Sequence, residues 1–151
     1  PFQYEPQDTR EEFARKQRLL LSSVRSKKIK INYHDASTSF VEAVLARGDR
    51  RLCPVLEAVW LDGGSLEGWE EHFSLERWQK AFAACGVDPA FYANRRRGFD
   101  ETFPWDHLDY GVSKSFFERE NRRAREALIT PHCRMGCSGC GANRLTGGKC
   151  V

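Results

Sequence analysis

Apolar residues recur along this chain at helical spacing in several stretches and at alternate positions in one. Thr9 with Glu12 forms a capping box, and Phe13, Leu20, Leu21 and Val24 then fall on one face of a predicted helix whose other side is Lys and Arg. That stripe reads as a docking surface. Between Lys28 and Tyr33 the pattern changes: Ile29, Ile31 and Tyr33 alternate with Lys28, Lys30 and Asn32, as in a short strand with one buried face. Ser39 with Glu42 signals the next helix, which runs through Val41, Val44 and Leu45 to Arg47 and stops at Gly48. Leu52, Val55, Leu56, Val59 and Trp60 draw an amphipathic helix ended by Gly63 and Gly64. Ser74 caps a helix with Leu75, Trp78 and Phe82 inward and Gly86 at its end, and Asp88-Pro89 opens a shorter one. From Tyr92 to Tyr110 periodicity is lost and aromatics accumulate, which predicts a long loop packed over other elements. Ser113 or Ser115 starts the last helix, with Phe116, Phe117, Ala124 and Leu128 inward, and Thr130-Pro131 ends it.

The predicted fold is therefore mainly α: about five helices, one short β-strand and an irregular cysteine-rich tail. Its 151 residues are one domain's length, enough to bury a core, and ten Phe, four Trp and four Tyr supply large pieces for it. The net charge of +3 is far below that of a dedicated nucleic-acid binder. No apolar run approaches the roughly 20 residues of a membrane span, and no signal peptide is visible, so the expectation is a cytoplasmic protein with reduced thiols. Pro1 stands where a start codon would be, the only methionine is Met135, and the rigid Pro1-Phe2-Gln3-Tyr4-Glu5-Pro6 opening reads as the exit from a preceding domain.

Chemistry concentrates at the other end. Four of the six cysteines, Cys133, Cys137, Cys140 and Cys150, lie in the last twenty residues among glycines. Thiolates three or four residues apart converge on one ion only if the chain between them turns tightly, and glycine permits such turns. The four are candidate ligands of an iron–sulfur cluster or of zinc, both of which accept four thiolates. Free or disulfide-paired cysteines are the plainer alternative. Cys133-x-x-x-Cys137-x-x-Cys140 has the spacing of the catalytic cluster of radical S-adenosylmethionine enzymes, but only eleven residues follow Cys140, too few for the barrel such a cluster requires. A closed four-thiolate site is instead structural or an electron relay.

Weaker signals lie elsewhere. His34 and Asp35 end the predicted strand, where chemistry is often presented, yet His-Asp before a helix is also an ordinary turn and N-cap. Arg47, Arg50 and Arg51 suit an anionic ligand, or pair with Asp49 and Glu42. Arg95, Arg96 and Arg97 beside loop aromatics could stack on RNA, as in a zinc-knuckle-like RNA- or protein-binding module. No phosphate loop or Ser/His/Asp signature appears.

Several phrases together resemble the C-terminal region of large bacterial radical S-adenosylmethionine proteins with an N-terminal cobalamin-binding-type domain and an unassigned reaction. These are Pro1-Phe2-Gln3, His34-Asp35 with Ser39 and Glu42, Ala46-Arg47-Gly48-Asp49-Arg50-Arg51, and Gly68-Trp69-Glu70-Glu71-His72-Phe73. Further along come Asp88-Pro89-Ala90-Phe91-Tyr92-Ala93, Pro104-Trp105-Asp106-His107-Leu108-Asp109, Gly111-Val112 and the cysteine tail. The resemblance implies a fragment of a larger α/β-barrel protein. Residues 1–27 would be a linker and first helix leaving the upstream barrel, 28–129 a helical accessory domain capping it, and 130–151 the metal-binding tail. It further implies that S-adenosylmethionine, its four-iron cluster and cobalamin belong to the upstream part, that the barrel is this region's partner, and that the region alone is catalytically silent. His34, Asp35, Arg50 and Arg51 become the candidates to reach the barrel's substrate side. Family members often carry a further cysteine where this chain has Asn143, so that either Cys150 takes over its role or the site has only three protein ligands.

Overall fold

The computed structural model describes residues 1–148 and is mainly helical, with no strand among them. Seven α-helices follow in order: α1 (Arg10–Ser23), α2 (Ala36–Ala46), α3 (Cys53–Leu61), α4 (Leu75–Ala84), α5 (Pro89–Ala93), α6 (Lys114–Arg125) and α7 (Asn143–Thr146). Short 3-10 turns at Phe2–Tyr4 and Arg50–Leu52 precede α1 and α3. No helix among the described residues is long and apolar enough to cross a membrane.

Side-chain caps set most helix starts. Thr9 accepts from the Glu12 N–H, Ser74 from Arg77, Asp88 from Ala90 and Ser113 from Phe116, each filling an orphan donor of a first turn. The α2 start departs from the sequence expectation. Its cap is Asp35, whose carboxylate accepts from Ser37 and Thr38, so Ser39 lies inside the helix. Both residue types cap well, and the apolar pattern alone did not choose between them.

The strand expected over 28–33 is absent. Ile29 donates back to Ser26 in a turn, and Ile29 and Tyr33 are 59% and 56% exposed with only Ile31 half-buried, so the alternation does not bury one face. A strand forms only against a second strand that completes its ladder, and none of the described chain offers one.

The described chain packs as two units. One is Pro6–Arg95, carrying α1 to α5. Its core brings together Val41, Ala43 and Val44 of α2, Leu52, Val55 and Val59 at α3, Trp78, Ala81 and Phe82 of α4, and Tyr92 and Ala93 of α5. Leu56 and Trp60, predicted on the buried face of α3, stay exposed, and α1 buries no residue. Entry and exit of this unit are laced to each other: Gln7 donates its N–H to the Ala93 carbonyl at 2.9 Å, and the Asn94 amide donates to the carbonyls of Gln7 and Asp8.

The other unit joins Pro1–Glu5 to the chain from Arg96 onward. Tyr4 is fully buried at its centre, edge-on to Phe99 at 4.7 Å and tilted against Phe103 at 5.5 Å, while Phe103 stacks on Trp105. The long aromatic loop is thus packed, as its composition predicts. The Arg97 N–H donates to the Tyr4 carbonyl at 2.9 Å. The inward residue of α6 is Asn121, fully buried, whereas Ala124 and Leu128 are exposed. Asn121 donates to the Pro1 carbonyl and to Glu5, a polar anchor that no hydrophobic pattern reveals. The α6 helix ends in a Schellman pair: Leu128 donates to the Arg123 carbonyl and Ala127 to that of Ala124, with Ala127 at φ +55°.

Candidate functional site

The cysteine tail belongs to the unit that contains α6. Its backbone turns at Gly139 (φ +67°) and Gly141 (φ +97°), conformations that a side chain strains to adopt. At Gly141 a Cβ would also stand 2.8 Å from the Gly111 carbonyl oxygen, so the approach of these two strips of chain requires glycine. Three bonds fasten the loop. Ser113 donates its N–H to the Cys140 carbonyl at 2.9 Å, the Arg119 guanidinium donates to the Ser138 carbonyl, and the Ser138 hydroxyl donates to that of Pro131.

The Gly139 N–H points at Cys137 Sγ at 3.4 Å and the Ala142 N–H at Cys140 Sγ at 3.5 Å, in each case from two residues further on. Thiolate is the form of cysteine that binds metal. Cys140 is half-buried and Cys137 exposed. Cys133 sits in an exposed turn in which Met135 donates to the His132 carbonyl and the Arg134 N–H to His132 Nδ1. Among the described residues no three His, Cys, Asp or Glu side chains are grouped as a metal site. Cys150 lies outside the described residues. The described donor set nevertheless fits a thiolate-ligated metal in its chemistry, because Cys137 and Cys140 share one glycine-turned loop and both accept backbone N–H groups.

The other candidates belong to Pro6–Arg95 and separate into two places. Asp35 caps α2, the bland role weighed for it, and the His34 carbonyl accepts from the Gln17 amide at 2.8 Å. Both line a cleft of about 510 Å³ with residues of the 67–73 loop. Arg50 and Arg51 lie beyond the opposite end of α2, which at 1.5 Å per residue is roughly 16 Å long. The structure therefore does not gather the four into one site. Arg51 donates through Nε and Nη2 to Asp49, its guanidinium 5.4 Å from the centre of the Phe91 ring, and the pairing holds Asp49 down to about 2. Arg47 donates to the Ala93 carbonyl, and burial lowers its pKa.

The arginines considered for RNA also have protein partners. Arg95 bonds the Phe91 carbonyl and lies 4.3 Å from that ring's centre, Arg96 pairs with Glu5 at 2.8 Å, and Arg97 is buried beside Phe103 and Trp105 with Glu101 at 3.8 Å.

One organising residue escaped the sequence reading. Glu67 accepts from the Ser74 N–H, the Arg77 guanidinium and the Trp78 indole N–H, and so fastens the 67–73 loop to α4. A glutamate in a loop gives no periodic signal; only its spacing of seven, ten and eleven residues from those donors could have suggested it. Comparison of the chain with protein-family models, with curated proteins and with solved structures gave no match.

Proposed function

We propose that this chain is a helical accessory region whose tail holds a thiolate-bound metal, an auxiliary iron–sulfur cluster or zinc, and which is not catalytic alone. The observation that carries the reading is the pair of backbone N–H groups aimed at Cys137 and Cys140 Sγ across glycine turns. A bound cluster would supply electron transfer, and zinc a rigid cross-link. The chain's own part is to present Cys137 and Cys140 on one glycine-turned loop and to hold that loop on α6 through Arg119 and Ser113. Cys133 and Cys150 are the further ligands by sequence. The resemblance given above supports the wider setting: a cytoplasmic radical S-adenosylmethionine enzyme of cobalamin type, in which this region caps the upstream barrel. In that setting Arg50, exposed and in no ion pair among the described residues, remains a candidate for the substrate side, whereas Arg51 is committed to Asp49. The engagement of Arg95, Arg96 and Arg97 within the protein leaves the RNA-binding alternative without a specific observation in its favour.

Metal and acid-labile sulfide analysis of anaerobically purified protein, with an optical spectrum, tests the site. Iron with sulfide, lost in the Cys137→Ser, Cys140→Ser double variant, is the expected outcome for an auxiliary cluster. Zinc at one per chain, lost in the same variant, keeps the thiolate site and makes it structural. Metal content that is nil, or unchanged by the substitutions, removes the proposal.

A further inference from the structure

The cleft at the N-terminal end of α2 has a composition that its surroundings do not explain. Tyr33, His34 and Asp35 form one wall, and Glu67, Trp69 and Glu70 contribute to the other. Trp69 is 62% exposed and Tyr33 56%, so two large aromatic faces stand in water at the mouth of one cavity. Such rings ordinarily bury most of their surface. The Trp69 position is nonetheless fixed rather than frayed. Its N–H donates to the Leu66 carbonyl at 2.9 Å, its carbonyl accepts from both His72 and Phe73 at 3.0 Å, and Glu67 pins the base of the loop to α4. Leu66 holds a left-handed φ of +56° to start this turn, a cost met by a non-glycine residue.

Charge supplies the second half. The protein is net positive at +3, yet the cleft carries three carboxylates, of which only Glu67 has a cationic partner among the described residues, Arg77. Asp35 spends one oxygen on the Ser37 and Thr38 N–H groups, and Glu70 makes no hydrogen bond or ion pair among the described residues. Aromatic faces beside unneutralised carboxylates recognise cations that are bulky and weakly hydrated, because the ring quadrupole and the carboxylate attract the same charge. A compact inorganic ion would instead require converging oxygens, which this cleft lacks; a volume of about 510 Å³ suits a small organic molecule.

We propose that this cleft binds a small organic cation, an alkylated ammonium group seated against Trp69 and Tyr33 and balanced by Asp35 and Glu70. The site lies wholly within Pro6–Arg95 and does not rest on the metal reading.

The test is an NMR titration of the whole 151-residue chain with choline chloride as probe, its uncharged isostere 3,3-dimethylbutan-1-ol, and potassium chloride at matched ionic strength. Choline should move the Trp69 indole N–H resonance saturably, and the alcohol should bind about tenfold more weakly or not at all. Glu70→Gln should weaken choline about fivefold, the effect of one nearby charge in a wet cleft, and Trp69→Ala should abolish the saturable shifts of the Tyr33 and Asp35 amides. Both positions are exposed, so an unchanged far-UV spectrum confirms that the variants are folded. Equal binding of alcohol and choline, a Trp69 signal that choline leaves in place, or a Glu70→Gln variant of undiminished affinity would overturn the assignment.

Discussion

At the scale of single residues, one half-buried carboxylate shows what a local pattern misses. Glu5 receives the Asn121 amide at 2.9 Å, the Arg125 guanidinium at 2.8 Å and that of Arg96 at 2.8 Å, and these hold its pKa below the ordinary glutamate value, the Asn121 bond first. A carboxyl with a depressed folded pKa contributes stability that is fully present above its unfolded value, about pH 4.3, and is lost as pH falls through the folded one. Urea unfolding of the protein and of Glu5→Gln should therefore differ most at neutral pH and converge below about pH 4. A gap that stays constant from pH 7 to pH 3 would show that Glu5 is not held in this way. None of this was legible in the sequence, where Glu5 lies between Tyr4 and Pro6 and its partners stand some 90 to 120 positions away. Pairings at such separation leave no local pattern. In the tail the contacts are local instead: the N–H donors to Cys137 and Cys140 come from two residues away.

Among the elements, caps were legible and faces only partly so. Thr9, Ser74, Asp88 and Ser113 mark their helices in the sequence as they do in the structure, since a cap is a local bond between neighbours. The core residues Trp78 and Phe82 followed from periodicity, but Leu56, Trp60, Ala124 and Leu128 were misplaced, because a helical stripe says which residues share a face without saying how wide the covered face is. The strand over 28–33 failed for a related reason: alternation is necessary for a half-buried strand, and a partner is what makes it sufficient. The end of α6 offers a direct test of local geometry. Ala127 occupies the left-handed position where glycine is normally found, so Ala127→Gly should relieve roughly 1 kcal/mol of backbone strain, less the entropy glycine adds to the unfolded chain. A small rise in melting temperature is the expected result; a fall of several degrees would mean that the Ala127 methyl makes a contact worth more than the strain.

For the molecule as a whole, the division into units was the feature least accessible from sequence, since Pro1–Glu5 and the chain from Arg96 onward are separated by the other unit. Composition shifts mark boundaries between neighbours in sequence, and here the two halves of one unit are not neighbours. The bonds at the two edges explain how this is possible. Gln7 meets Ala93 and Asn94 within Pro6–Arg95, and Tyr4 meets Arg97 within the other unit. A polypeptide of Pro6–Arg95 alone should accordingly unfold in one cooperative step, with the emission of buried Trp78 moving to the red; a broad, non-cooperative transition would show that its core depends on the rest of the chain. The arrangement also imposes a timetable. During synthesis Tyr4 leaves the ribosome long before Phe99 and Phe103 exist, and closing a loop of roughly 90 unstructured residues to reach them would carry a large entropic cost. Once the intervening unit has folded and drawn Gln7 to Ala93, Tyr4 and Arg97 become near neighbours, and the nascent aromatic cluster closes over a short span instead.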